Sequence, residues 1–223
     1  MGDARGRPAL FDDRLFAGTL NDMCNEVARR IALDQVRDDF AQLRIPLRFP
    51  EGAPNMAPLD SVRITDPTVI IRAAADAEGQ AEMVTRRWSW PGPDGKRPVY
   101  NYRSEGRDLG NHGAKGGRCL IPVDAFYEFT TPTDPKAKRK DKWAFRWVGS
   151  DWFAIAGLWR ADERVGEAFT LLTCEPGPDI APYHSRQVVL LDRADWSSWL
   201  DGTAASAALC VPTPAGTLDV APA

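Results

Sequence analysis

Trp143-Ala144-Phe145-Arg146-Trp147-Val148-Gly149-Ser150-Asp151-Trp152-Phe153-Ala154-Ile155-Ala156-Gly157-Leu158 is the stretch that decides the class of fold. Trp143, Phe145 and Trp147 recur at every second position, the spacing that puts side chains on one face of a strand. Gly149-Ser150 can reverse the chain, and an apolar run returns from Trp152 to Leu158, so the stretch predicts a β-hairpin. Outward from it, β-type runs appear at Ser61–Ile64, Thr68–Arg72 and Glu82–Trp90, the last stopped by Pro91-Gly92-Pro93. Cys119–Ile121 and Ala125–Phe129 flank Pro122, which cannot donate to a ladder and is expected at an edge or bend. Phe169–Thr173 and Gln187–Leu191 add two more strands. Helical spacing is confined to Asp34–Leu43, where Val36, Phe40 and Leu43 share a face, and to Asp195–Leu200 before Gly202. Residues 44–60, with four prolines, read as a loop. The expected fold is α+β: a single domain with a largely antiparallel, barrel-like β-sheet and a few peripheral helices.

Composition agrees. The 223 residues hold 18 prolines, 18 glycines and eight tryptophans, which favours a strand- and turn-rich domain over a helical bundle. No apolar stretch is long enough to span a membrane, and the N-terminus lacks the apolar core of a secretory signal. A cytoplasmic monomer is the expectation. Four cysteines (Cys24, Cys119, Cys174, Cys210) lie far apart, with no CxxC pair and no histidine cluster. That spacing argues against a zinc site and against a disulfide framework, and no cofactor is expected. The net charge of −3 gives no global support for nucleic-acid binding, so any such site must rest on a local basic surface.

Three segments could carry chemistry. The first is Met23-Cys24. Residues 1–22 differ in character from the rest of the chain and read as an extension, from a misassigned start or removed later, ahead of a domain at 23–223. An initiator methionine is readily removed before a small residue, leaving Cys24 with a free α-amine and a β-thiol. Such a 1,2-aminothiol condenses with an aldehyde through its amine and closes a five-membered ring through its sulfur. The α-amino pKa of about 7.7–8.0 keeps a usable fraction unprotonated at neutral pH. The competing reading is a buried core cysteine.

The second segment is Asn101-Tyr102-Arg103-Ser104-Glu105, followed by Arg118-Cys119 through Tyr127-Glu128-Phe129. Glu128 sits between two aromatic residues near the end of an apolar strand. There a carboxyl would be raised in pKa and suited to acid–base work, unless it faces water at an edge. Arg103 reads either as an anion contact or as half of a surface salt bridge. The third segment runs from Phe169 through Thr173 to His184-Ser185-Arg186, with His184 a candidate proton donor or a structural histidine. His112 reads as simply exposed.

In this order and at these separations the segments resemble the SOS response-associated peptidase (SRAP) family, which processes abasic sites. The resemblance is carried by Met23-Cys24, Asn55-Met56-Ala57-Pro58, Asn101 to Glu105, Arg118 to Glu128, Ala156 to Trp159 and His184-Ser185-Arg186. It implies that Cys24 captures the open aldehyde of an abasic site in single-stranded DNA as a thiazolidine. It also implies that Glu128 moves protons, His184 assists ring opening or release, and Asn101 orients Cys24 and the sugar. Arg103 would hold the neighbouring phosphate, and Asn55 and Arg186 would add DNA contacts. Trp88 and Trp90 beside Arg86-Arg87 could offer a stacking edge or be core tryptophans.

The chain departs from the family pattern at Asn25-Glu26, where Gly-Arg is usual, and after His184, where Arg186-Gln187-Val188 stands. Lys136, Lys138, Arg139, Lys140 and Lys142 form either a DNA patch or a solvated loop. Two other function classes stay open: a cysteine peptidase using Cys24 and His184, and a non-catalytic single-strand DNA module.

Overall fold

The computed structural model describes residues 23–107, 109–134 and 136–223. The extension at 1–22 therefore lies outside the described residues. In chain order the first strands are β1 (Glu26–Arg29), β2 (Leu47–Arg48), β3 (Leu59–Arg63), β4 (Pro67–Ala73), β5 (Ala81–Trp88), β6 (Trp90–Pro91), β7 (Pro98–Val99) and β8 (Asn101–Arg103). They are followed by β9 (Gly116–Val123), β10 (Ala125–Thr130), β11 (Asp141–Trp147), β12 (Phe153–Asp162), β13 (Gly166–Cys174), β14 (Gln187–Val188), β15 (Leu190–Leu191) and β16 (Leu218–Pro222). The helices are α1 (Leu33–Gln42), α2 (Trp196–Asp201) and α3 (Ser206–Leu209).

Strand β13 pairs antiparallel with β12 on one side and, in parallel, with the far end of β5 on the other. The order β13-β12-β9-β4-β5 therefore returns to β13, and five strands close into a barrel. Closure removes the edges that an open sheet would leave unpaired. A second sheet, in the order β16-β11-β10-β1-β3, is wholly antiparallel among neighbours. The barrel-like α+β class read from the sequence is what the chain adopts.

The period of two sorts side chains between two cores. Ile70, Val84, Ile121, Ile155, Phe169 and Leu171 join Val27, Phe126 and Phe145 of the second sheet in one cluster. Their neighbours in sequence, among them Val69, Ile71, Leu120, Ala156 and Leu172, face the other cluster, which holds Val36 and Phe40 of α1 and Trp196 and Trp199 of α2. Gly157 is where the wall is tightest: a Cβ there would collide with Ile121 Cδ1 and lie 2.6 Å from the Thr170 carbonyl.

The expected hairpin across Gly149-Ser150 is corrected. Both strands exist, and Gly149 turns the chain with φ +74°, but they do not pair with each other. Strand β11 already has β10 and β16 as neighbours, and β12 has β9 and β13, so neither has an edge to offer. The turn is instead a corner between sheets, with Trp147 and Phe153 in ring contact at 6.0 Å across it. Pro122 faces Ala154 of β12, while the paired register of β4 against β9 ends at Leu120, so Pro122 sits where the second neighbour has run out. Both expected helices are present, α2 ending on the left-handed Gly202.

Candidate active site

The site is assembled where β1, β8 and β10 converge. Cys24 lies just ahead of β1 and is 1% exposed, its thiol donating to the Glu26 carbonyl at 3.6 Å. Its backbone nitrogen donates to Glu128 Oε1 at 3.1 Å, although 104 residues separate the two in sequence. Glu128 lies on the same face of β10 as Phe126, two residues away, and that face is turned into the core. Asn101 comes from β8, which lies parallel to β13, and its Nδ2 donates to the Cys24 carbonyl at 3.0 Å. Cys24 is thus in direct hydrogen-bond contact with both Glu128 and Asn101.

Burial sets the electrostatics. It pushes the Glu128 carboxyl up to about 8, against a partial opposing pull from the Cys24 N–H. Burial raises the Cys24 thiol well above its ordinary range, and Glu128 raises it further once ionised, so it stays protonated at neutral pH. Among the described residues two buried oxygens of this cluster have no hydrogen-bond partner: Glu128 Oε2 and Asn101 Oδ1. Buried polar atoms without partners are uncommon, and two in one cluster mark a polar site left incomplete.

Arg103 shares the Asn101 face of β8 by the alternation of the strand and is exposed. Opposite it in register is Thr173, whose carbonyl takes Arg186 Nη2 at 2.9 Å while the same guanidinium pairs with Glu105. Arg186 so pins the His184 segment to the end of β13. His184 Nδ1 lies 3.0 Å from the Arg186 backbone nitrogen, a contact that fixes the ring locally. Tyr183 packs on Trp143 with ring centroids 4.9 Å apart, and Trp143 is the cross-strand partner of Glu128. The histidine segment therefore covers the strand pair that carries Glu128. Asn55 uses its Oδ1 to accept the Ala57 N–H at 2.9 Å, shaping its own loop.

The stacking edge at Trp88 and Trp90 is corrected. Both rings are buried, Trp88 at 1% exposure, with its indole donating to the Tyr100 carbonyl at 2.9 Å and its ring stacked on Phe169. Neighbouring Arg87 is half-buried, with Nη1 on the Thr65 carbonyl at 3.3 Å.

A contact that the sequence reading missed involves Glu26, part of the departure from the family pattern at Asn25-Glu26. Glu26 is 4% exposed and accepts from Lys142 Nζ at 2.9 Å, and that ammonium also sits 3.7 Å above the Tyr127 ring. Burial would raise the Glu26 carboxyl, but donation from Lys142 and Ser61 outweighs it and holds it low. The signal was a charge of each sign on strands of one sheet, and only the fold reveals that they meet. Among the described residues no group of three or more His, Cys, Asp or Glu is placed to hold a metal.

A family model described as SOS response associated peptidase (SRAP) matches residues 23–223. The chain belongs to the SRAP family. Its match begins at Met23, one residue before the cysteine at the centre of the site. A search of the curated proteins finds no match. Among solved structures, a Bordetella bronchiseptica protein is 23% identical with a TM-score of 0.65, covering 90% of this chain and 99% of its own. A Bacteroides thetaiotaomicron protein is 15% identical with a TM-score of 0.67, covering 89% and 91%. A phage-related protein of Bordetella bronchiseptica, also 15% identical, has a TM-score of 0.65 over 90% and 94%. At these identities the likeness is one of fold. Membership of the family makes this an SOS-associated, peptidase-like protein, and among the described residues no helix is long and apolar enough to cross a membrane.

Proposed function

We propose that this SRAP domain captures abasic sites in single-stranded DNA covalently, through Cys24 as the N-terminal residue of the mature chain. The observation that carries the reading is the Cys24 nitrogen 3.1 Å from Glu128 Oε1, in a cluster whose Glu128 Oε2 and Asn101 Oδ1 are buried without partners among the described residues. An amide brings one N–H to this cluster; a freed α-amine brings two, and its ammonium form three. Removal of residues 1–23, by a start at Met23 and loss of that methionine or by self-cleavage, would bring the further N–H donors.

The chemistry then balances in two steps. The Cys24 amine adds to the open-chain aldehyde and loses water, giving an imine. The thiol adds across the C=N bond, its sulfur bonding to carbon and its proton passing to nitrogen, giving a thiazolidine. Ring closure removes the imine, which would otherwise promote β-elimination and strand cleavage. Glu128, whose carboxyl burial raises, can donate a proton to departing water and then, ionised, accept one from sulfur. Asn101 holds the Cys24 carbonyl and so the direction of its nitrogen. Arg103, exposed on the same strand face, is the contact for the adjoining phosphate, and His184 assists ring opening or release.

A cysteine peptidase acting through thiolate chemistry is less well supported, because burial holds the Cys24 sulfur protonated and an ionised Glu128 would oppose the thiolate further. The test is incubation of the Cys24-start chain with a single strand carrying one abasic site. A denaturation-stable adduct is expected, lost in Cys24→Ser and blocked by acetylating the α-amine. An adduct that survives that acetylation would overturn the reading.

A further inference from the structure

We propose that the tip of the β10–β11 hairpin is a docking strip for the phosphate backbone of single-stranded DNA. It would hold the strand on the side of the site reached by way of Trp143. The inference rests on the proposed single-stranded DNA substrate and extends it to a surface outside the reacting cluster.

Lys136, Lys138 and Arg139 fall within four residues and are all exposed. Two other basic residues of the run do not belong to the strip: Lys140 is already engaged, and the Lys142 ammonium is committed to Glu26 and the Tyr127 ring. The two acids of the loop are turned to the backbone. Asp141 Oδ2 accepts from Thr133 N at 2.8 Å and Thr133 Oγ1 at 2.7 Å, and Asp134 Oδ1 accepts from Lys136 N at 2.9 Å. Their carboxylates shape the loop, and the cations are presented outward.

The position of the loop makes it relevant to the site. Glu128 pairs with Trp143, and the last pair of the same ladder is Thr130 with Asp141. Two residues of strand, about 7 Å, therefore lead from the Glu128 level to the base of the loop. The path is lined by Trp143, whose indole donates to Thr130 Oγ1 at 2.9 Å, and by Tyr183 packed upon it. Both rings are only partly buried. A strand whose damaged sugar reaches Cys24 can thus continue over a partly exposed aromatic rim to a cationic tip. In a chain of net charge −3, a local concentration of this kind is what an anionic polymer would find.

The experiment measures binding of an undamaged single-stranded oligonucleotide against salt concentration. The partners are the Cys24-start chain and a variant combining Lys136→Gln, Lys138→Gln and Arg139→Gln. Each phosphate neutralised on a single strand contributes about 0.7 to the log–log salt slope, so loss of three contacts lowers it by about 2. At about 0.1 M salt the affinity falls between roughly tenfold and a hundredfold. A companion variant with Lys136→Arg and Lys138→Arg should keep the slope. An unchanged slope in the glutamine variant, or no measurable binding by the parent chain, overturns the proposal. Adduct formation by the parent separates the two readings. Normal adducts with an unchanged slope remove the strip alone, while a lowered slope without any adduct removes the crosslink alone.

Discussion

Glu128→Gln should flatten the pH dependence of stability in the full-length chain, where the Cys24 nitrogen is an amide. Glutamine keeps the shape of the carboxyl and its acceptor for the Cys24 N–H but cannot ionise. In the parent, burial holds the Glu128 carboxyl at about 8, against an ordinary value of 4.5. Between those values the folded chain keeps a proton that the unfolded chain has released. Stability therefore falls as pH rises, by about 1.4 kcal/mol per pH unit for this one group. Across the window from pH 4.5 to 8 the loss is on the order of 4–5 kcal/mol, a large part of the stability of a domain. Urea unfolding at intervals from pH 5 to 8.5 reads this directly, as the difference between the parent and variant curves. Other titrating groups are common to both chains and largely cancel. The two curves should converge towards pH 5, and the variant should be the more stable at pH 8. A chain starting at Cys24 adds a contrast: its α-ammonium beside the carboxylate favours ionisation, so its slope should be shallower than that of the full-length parent. Parallel curves for the full-length parent and Glu128→Gln would refute the reasoning.

Two further outcomes rest on single contacts. Asn101→Ala removes the donor to the Cys24 carbonyl, a bond of about 0.5–1.5 kcal/mol, so adduct formation in single-turnover assays should slow by roughly two- to tenfold with the product unchanged. Trp88→Phe removes the indole donation to Tyr100 and part of the stack on Phe169. It should lower the melting temperature by an amount corresponding to about 1–3 kcal/mol while leaving the DNA affinity of the folded protein alone.

The strands were legible because their signal is local. Alternation at Trp143, Phe145 and Trp147 reports which side chains share a face, and that holds whatever the partner strand is. Pairing is not local. The turn at Gly149-Ser150 has hairpin composition, yet β11 and β12 are claimed by β16 and β9, strands distant in the chain that the same pattern cannot name. Trp88 shows the matching limit for the site, since an aromatic residue beside arginines has the same composition in a stacking edge and in a core. Cys24, Asn101 and Glu128 were found by the order of their motifs, and the fold supplies what order cannot: all three meet around one cysteine backbone. The Glu26–Lys142 pair, spanning 116 positions, was invisible until β1 and β10–β11 were placed in one sheet.

The central claim is that the Cys24 nitrogen, once freed, is the nucleophile that Glu128 and Asn101 are arranged around. Intact mass spectrometry of the purified protein, alone and with an abasic single strand, tests it most directly. The account predicts a chain beginning at Cys24 and a single adduct equal to protein plus oligonucleotide less one water, with the linkage mapped to that residue. A protein that retains residues 1–22 and still traps the strand through another side chain would contradict it.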